Sequence, residues 1–174
     1  MPYLGKVMHF TFSNLKKHLG IVALLSVILL FAIYFSQRYS IGFNKAKTNC
    51  LNTKVFLIDK WDKTVQHGQL IAFEMNKDTK FYPKGTTWVK KVAGVSGDVI
   101  NVDHFFVKAP GKTYNLPTSY IFSKLDTSPD DLKTQWKLAE GEIFMIGETL
   151  TSFDSRFWGP INQADVKGRA YAIF

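Results

Sequence analysis

Between Leu19 and Ser36 the chain reads LGIVALLSVILLFAIYFS, eighteen residues without a charge. At about 1.5 Å of rise per helical residue, the run covers most of a ~30 Å hydrocarbon core. Lys16, Lys17 and His18 precede it and Arg38 follows it, while Tyr34, Phe35 and Tyr39 supply aromatic residues at its far end. A secretory leader would end in small residues at a cleavage site, but here the run ends in Tyr34, Phe35, Ser36, Gln37 and Arg38. A lipoprotein site at Cys50 fails as well, because Lys47, Thr48 and Asn49 precede it. The expectation is an uncleaved anchor: 1–18 a cytoplasmic N-terminal segment, 19–36 transmembrane, and 37–174 a domain on the periplasmic side of a bacterial inner membrane. Orientation follows the basic flank. Arg38, Lys45 and Lys47 on the other side dilute that bias.

The rest of the chain must fold on its own. At 174 residues it has room for one well-cored domain plus the anchor, and fifteen Phe against four Met favour an aromatic-rich β core over a helical bundle. The net charge of +8 is unevenly spread: Lys6, Lys16 and Lys17 lie before residue 20, where there is no acid. The remaining basic residues are interspersed with acids and form no run that would track a phosphate backbone, which argues against nucleic-acid binding. Cys50 is the single cysteine, so an intrachain disulfide and a cysteine-built metal site are excluded. His9, His18, His67 and His104 lack ligand spacing, and no metal or cofactor is expected.

Apolar runs bounded by turn residues predict strands at Val55 to Asp59, Gly68 to Glu74, Trp88 to Ala93, Val99 to Val107, Ile143 to Ile146 and Gly168 to Phe174. The fold class expected is mainly β, a meandering antiparallel sheet. Residues 109–140 change character, with Pro110, Gly111, Pro117 and Pro129, and read as an insertion or flap. Within them Ser128, Pro129, Asp130 and Asp131 predict a capped helix through about Leu138. Gly147 to Ile161 reads as a long structured loop.

One strand carries a chemical constraint. In Val89-Lys90-Lys91-Val92 successive side chains alternate between faces, so one lysine is turned toward the core. Burial lowers the pKa of an amine and makes it a candidate proton acceptor near neutral pH. Gly94 and Gly97 are expected to shape the turn that follows.

Several segments in order now resemble one family. Gly68 to Phe73, Trp88 to Asp98 (WVKKVAGVSGD), Glu140 to Gly147, Ser152 to Pro160 (SFDSRFWGP) and Gly168-Arg169-Ala170 resemble the type I signal peptidases, membrane-anchored serine proteases with a Ser/Lys dyad. The SFDSRFWGP variant and the short insertion look most like the conjugative-transfer branch, which matures pilin subunits for type IV secretion. The resemblance implies a signal-peptidase-like β domain and a signal-peptide-bearing pre-protein, such as a pilin, as substrate. It implies Lys90 as general base, turned toward Ser152, with Lys91 on the other face and replaceable. It places the nucleophile at Cys50, the orienting hydroxyl at Ser152, and a structural pair at Asp154 and Arg156. Thr48 stands where many relatives carry serine and could add an oxyanion donor beside the Cys50 N–H.

The chain departs from the pattern at Cys50-Leu51-Asn52, where relatives have serine followed by methionine or leucine and soon a proline. The Gly147 to Thr151 loop is also one residue shorter and less polar than usual. A thiol, with a reference pKa of about 8.5, yields its proton more readily than a hydroxyl, so Cys50/Lys90 can form a working dyad. The other reading is an inactive, membrane-anchored assembly factor that binds pilin or secretion-channel subunits. Within the first, water or a second amine can resolve the acyl-enzyme, giving hydrolysis or a cyclised product.

Overall fold

The computed structural model describes residues 4–44, 50–125 and 128–174, with side chains from Lys16 onward. The chain divides after Arg38 into two compact units. The first is a single helix, α1 (Leu4–Arg38), extending well beyond the uncharged run on its N-terminal side. Its stretch Lys16–Arg38 is long and apolar enough to cross a membrane, and its side chains are exposed as far as Gln37.

The second unit is built from two antiparallel sheets, as the alternating apolar runs predict. The larger contains β1 (Tyr39–Phe43), β2 (Val55–Asp59), β3 (Leu70–Glu74), β4 (Thr87–Gly94), β9 (Glu142–Ile146), β10 (Ile161–Asn162) and β11 (Val166–Ala172). Its order is β1-β2-β11-β3-β4-β9-β10, which corrects the expected meander. β11 returns from the chain end to pair with both β2 and β3, aligning Ala170 with Ile58 and with Leu70. Ala170 is buried there, so the closing strand completes the core between β2 and β3.

The smaller sheet, of order β7-β6-β5-β8, consists of β5 (Val99–Val102), β6 (Phe106–Ala109), β7 (Lys112–Asn115) and β8 (Gln135–Lys137). Most of the expected insertion therefore belongs to, or connects, a sheet that starts before it. The short helix α2 (Ser119–Phe122) lies between β7 and β8. The expected helix from Ser128 starts as foreseen, with a capping box between Ser128 and Asp131, but lasts only through Asp131. Beyond it Trp136 and Leu138 alternate with exposed Gln135 and Lys137. That period of two suits β8, which pairs with Val99–Asn101 and lets Trp136 and Leu138 cover Phe144 and Ile100.

Three apolar clusters pack on these sheets. Ile71, Phe73, Trp88, Val92 and Met145 form one with Phe153 and Phe157; Leu51, Phe56, Ile58 and Ala72 form another; Ile100, Val107, Phe144 and Ile146 form the third. The first is aromatic: the Trp88 ring lies 6.2 Å from those of both Phe153 and Trp158. Gly97, at φ 88°, makes the turn after β4. Gly94 does not. It is the last residue of β4, and a Cβ there would stand 2.6 Å from the Ile100 side chain.

Candidate active site

Pairing of Ile71 with Lys90 puts this lysine on the core face of β4. Lys90 is 1% exposed, while its neighbour Lys91 is only half-buried. A buried amine needs a partner, and Lys90 Nζ donates to Ser152 Oγ at 3.0 Å. Ser152, also fully buried, donates its own proton to Asp154 Oδ2 at 2.8 Å. The hydroxyl thus has its lone pairs, not its proton, facing the lysine.

The carboxylate is fixed from several sides. Arg156 Nε reaches Asp154 Oδ1 at 2.7 Å, Arg156 Nη2 reaches Oδ2 at 3.0 Å, and Gly147 N–H donates to Oδ2 at 3.0 Å. Burial alone would push the Asp154 pKa up. The Arg156 charge and hydrogen bonds, the nearby Lys90 and the Gly147 N–H outweigh burial and hold the carboxyl below its ordinary range. Arg156 also donates to the carbonyls of Ser152 and Leu116, tying this loop to the chain that leaves β7. Asp154 additionally caps α3 (Ser155–Trp158), accepting from Arg156 N–H.

Cys50 is half-buried in a turn before β2, and Leu51 beside it is sunk into the Phe56 and Ile58 cluster. The Cys50 carbonyl accepts from Glu148 N–H at 2.7 Å, and Asn52 N–H reaches Glu148 Oε2 at 3.4 Å. Glu148 Oε1 in turn forms an ion pair with Lys91 Nζ. Burial raises the Glu148 pKa, but the Lys91 and Asn52 hydrogen bonds and the Lys91 charge bring it below the ordinary glutamate value. One carboxylate therefore connects the Cys50 turn to β4.

Cys50 and Lys90 line one cavity of about 670 Å³, together with β1, Tyr82, Trp88 and Val89. Pairing of β4 with β9 spans Lys91, Val92 and Gly94, so the same edge of β4 from Thr87 to Lys90 has no strand beside it among the described residues. Such an edge can take an extended peptide. Buried amine, hydroxyl, carboxylate, half-open thiol and free strand edge form an arrangement suited to acyl transfer.

The peptidase S26 signal peptidase family model matches residues 15–174. The chain belongs to that family. It is 26% identical over 117 residues to signal peptidase I of Aquifex aeolicus, a match covering 64% of this chain and 45% of that relative. The chain thus matches less than half the length of the relative. A crystal structure of a signal peptidase I from Enterococcus faecalis is 19% identical, with 62% of this chain and 97% of that chain covered at a TM-score of 0.41.

Among the residues that the signal peptidase resemblance singled out, the structure joins Lys90, Ser152, Asp154 and Arg156 in one buried network and sets Cys50 on the cavity beside Lys90. Thr48 lies outside the described residues. Lys91, expected to be replaceable, is bridged to Glu148. Glu148 and Tyr82 carried no sequence signal of their own, since their contacts arise from pairing of distant segments. Among the described residues, no three His, Cys, Asp or Glu side chains group to hold a metal.

Proposed function

We infer that the chain is a membrane-anchored signal peptidase-like endopeptidase that cleaves signal-peptide-bearing pre-proteins through an acyl-enzyme on Cys50. The carrying observation is a buried Lys90, oriented by Ser152 and Asp154, on the wall of the cavity that Cys50 also lines.

A neutral amine has two N–H bonds and one lone pair. Spending an N–H on Ser152 leaves the lone pair to be aimed into the cavity. Lys90 takes the thiol proton, Cys50 Sγ attacks the scissile carbonyl carbon, and charge moves to the carbonyl oxygen. The Cys50 N–H, with Thr48 as a second donor, receives that charge. As the C–N bond breaks, protonated Lys90 returns its proton to the leaving amine. Water, deprotonated by Lys90, then attacks the thioester and releases the acid and the thiol.

The substrate enters as an extended strand along Thr87 to Lys90. Residues 19–36 anchor the enzyme in the inner membrane, 1–18 stay cytoplasmic, and 37–174 act on the periplasmic side. The pre-protein is a pilin or another conjugative-transfer component, a reading supported by the SFDSRFWGP variant and the short insertion.

Processing of candidate precursors by the full chain in detergent tests this reading, using Cys50→Ala, Lys90→Ala and Cys50→Ser. Cleavage should be lost in both alanine variants and survive weakly in the serine variant. Undiminished cleavage in the alanine variants would sink the dyad.

A further inference from the structure

In the reaction proposed above Lys90 changes charge, and it must do so almost without water, since it is 1% exposed. An ammonium at such a site is costly unless its neighbours receive it. On one side Lys90 Nζ meets Ser152 Oγ. Behind that hydroxyl, Asp154 Oδ2 already accepts from Ser152, Arg156 Nη2 and the Gly147 N–H, so its bonding capacity is largely taken. β3 places Ile71 opposite Lys90 and contributes no charge. Another surface is the indole of Trp88, two residues earlier on the same buried face of β4. Lys90 Nζ lies over this ring, 5.4 Å from its centroid, inside the roughly 6 Å at which an aromatic face attracts a cation.

Trp88 is packed so that it cannot turn this face away. Tyr82 meets the ring edge-on at 4.9 Å and Trp158 at 6.2 Å, while Phe73 and Phe153 lie at 6.5 and 6.2 Å. Trp88 is 8% exposed, and its Nε1–H is buried without a hydrogen-bond partner among the described residues. A buried unpaired donor costs stability, and a phenyl ring would join the cluster without that cost. What indole adds is a broader face with a stronger attraction for a cation. Trp136 and Trp158 also carry unpaired N–H groups, but among the described residues only Trp88 lies under a buried lysine; Trp136 lies under exposed Lys133.

We propose that Trp88 is a positioning residue for the base, whose indole face stabilises Lys90 once it has taken the thiol proton. The proposal rests on Lys90 as general base. A neutral amine gains little from an aromatic face and an ammonium gains more, so the contact strengthens as the proton moves from Cys50 to Lys90 Nζ. No bond to the indole forms, and the proton leaves again with the departing amine. One N–H of the ammonium stays on Ser152 Oγ and the indole receives the charge from a second side. The cavity side is left to Cys50 and the substrate. The other titratable groups around Lys90 are Cys50 and Tyr82 on the cavity wall and the Asp154–Arg156 pair behind Ser152, with Lys91 and Glu148 paired on the other face of β4.

Tryptophans of rising fluorine number, placed at position 88 of the full chain by nonsense suppression, keep the indole's shape and progressively weaken the negative charge of its face. The face favours proton-bearing Lys90, so weakening it makes the Cys50/Lys90 pair release its protons at lower pH. The profile of kcat/KM against pH for precursor processing in detergent should therefore move to lower pH with each fluorine, by about half to one unit in all. Trp88→Leu, which has no face, should move it as well, and Trp88→Phe by less; if Trp88→Leu does not fold, the fluorinated series still decides. A profile that loses height but keeps its position, or moves without following the fluorine number, would overturn the proposal. Titration of isotope-labelled lysine by NMR, with Lys90→Arg to assign the signal, reads the contact without activity: Lys90 should titrate at lower pH in the fluorinated chains, and an unchanged titration would also overturn it. Failure of the underlying reading looks different. If Lys90→Ala still processes precursor, Lys90 is not the base, whereas the NMR comparison still shows whether Trp88 holds its ammonium.

Discussion

Lys90 and Cys50 share a cavity but are held there by different physics. The lysine sits at the head of a fully buried network, Ser152, Asp154 and Arg156, in which each polar side chain meets another at hydrogen-bond distance. The cysteine occupies a half-exposed turn, fastened by its own carbonyl and by the one carboxylate of Glu148. A buried network of this kind cannot shift one member without leaving another unpaired, which makes the proposed base rigid. The proposed nucleophile is placed by weaker, solvent-exposed contacts, so its position can be altered with little cost to the fold.

The largest effect should come from breaking the rigid half. Arg156→Ala leaves the Asp154 charge buried without its partner, which costs about 3–5 kcal/mol. Thermal unfolding should show it as a markedly lowered Tm; a Tm near wild type would mean the pair is not what fixes the loop. The same carboxylate governs acid stability. Its folded pKa lies below the ordinary value of 3.8, so its contribution is complete above that value and disappears as pH falls through the folded pKa. Unfolding monitored from pH 6 downward should therefore set in below about pH 4. In Asp154→Asn the protein should be weaker at pH 7 and lose much of this acid dependence.

Next in size is the residue where the two halves touch. A Cβ on Gly147 would overlap the Ser152 hydroxyl and stand 2.6 Å from the Cys50 carbonyl oxygen. Neither neighbour can swing away freely, because Ser152 is held by Asp154 and the other contact is backbone. Gly147→Ala should cost roughly 1–3 kcal/mol from overpacking and should abolish processing, since one methyl displaces both halves. Full activity in this variant would show that the spacing between them is not critical.

The same division marks what could be read from the sequence. Alternation along β4 turned one lysine of the pair inward, the resemblance singled out Lys90, and the apolar runs located β2 within the residues observed. The motif residues Ser152, Asp154 and Arg156 stood out by resemblance, although the bond from Ser152 to Asp154 needed the folded loop. The insertion of β11 between β2 and β3 carries no local signal, because long-range pairing is chosen by the burial of Ala170 among segments far apart in the chain. β1 was passed over, since Tyr39–Phe43 is mixed in polarity and shows its pairing with Val55–Asp59 only in the sheet. For β8, a sound helix cap at Ser128 masked the period of two that follows. Glu148 and Tyr82 are ordinary residues in sequence and gain their surroundings from contacts across the fold.

The smallest effect on stability, and the sharpest on the comparison, is expected at Glu148. Glu148→Gln retains the backbone bond to the Cys50 carbonyl and the side-chain size, and removes only the charge that Lys91 meets. Both side chains of that pair are about one quarter exposed, at 23% and 28%, so the stability lost should stay below about 1 kcal/mol. The Cys50 turn nevertheless loses the anion that joins Asn52 to β4, and processing should fall several-fold with Tm almost unchanged. Lys91→Ala should behave alike. The wild type should lose part of its activity at about 1 M salt, where this partly exposed ion pair is screened, while the buried Lys90 network is not. If both variants process at the wild-type rate, the turn is held by its backbone and by Leu51 alone. Cys50 would then be placed as rigidly as Lys90, and the distinction between the two halves would be one of burial only.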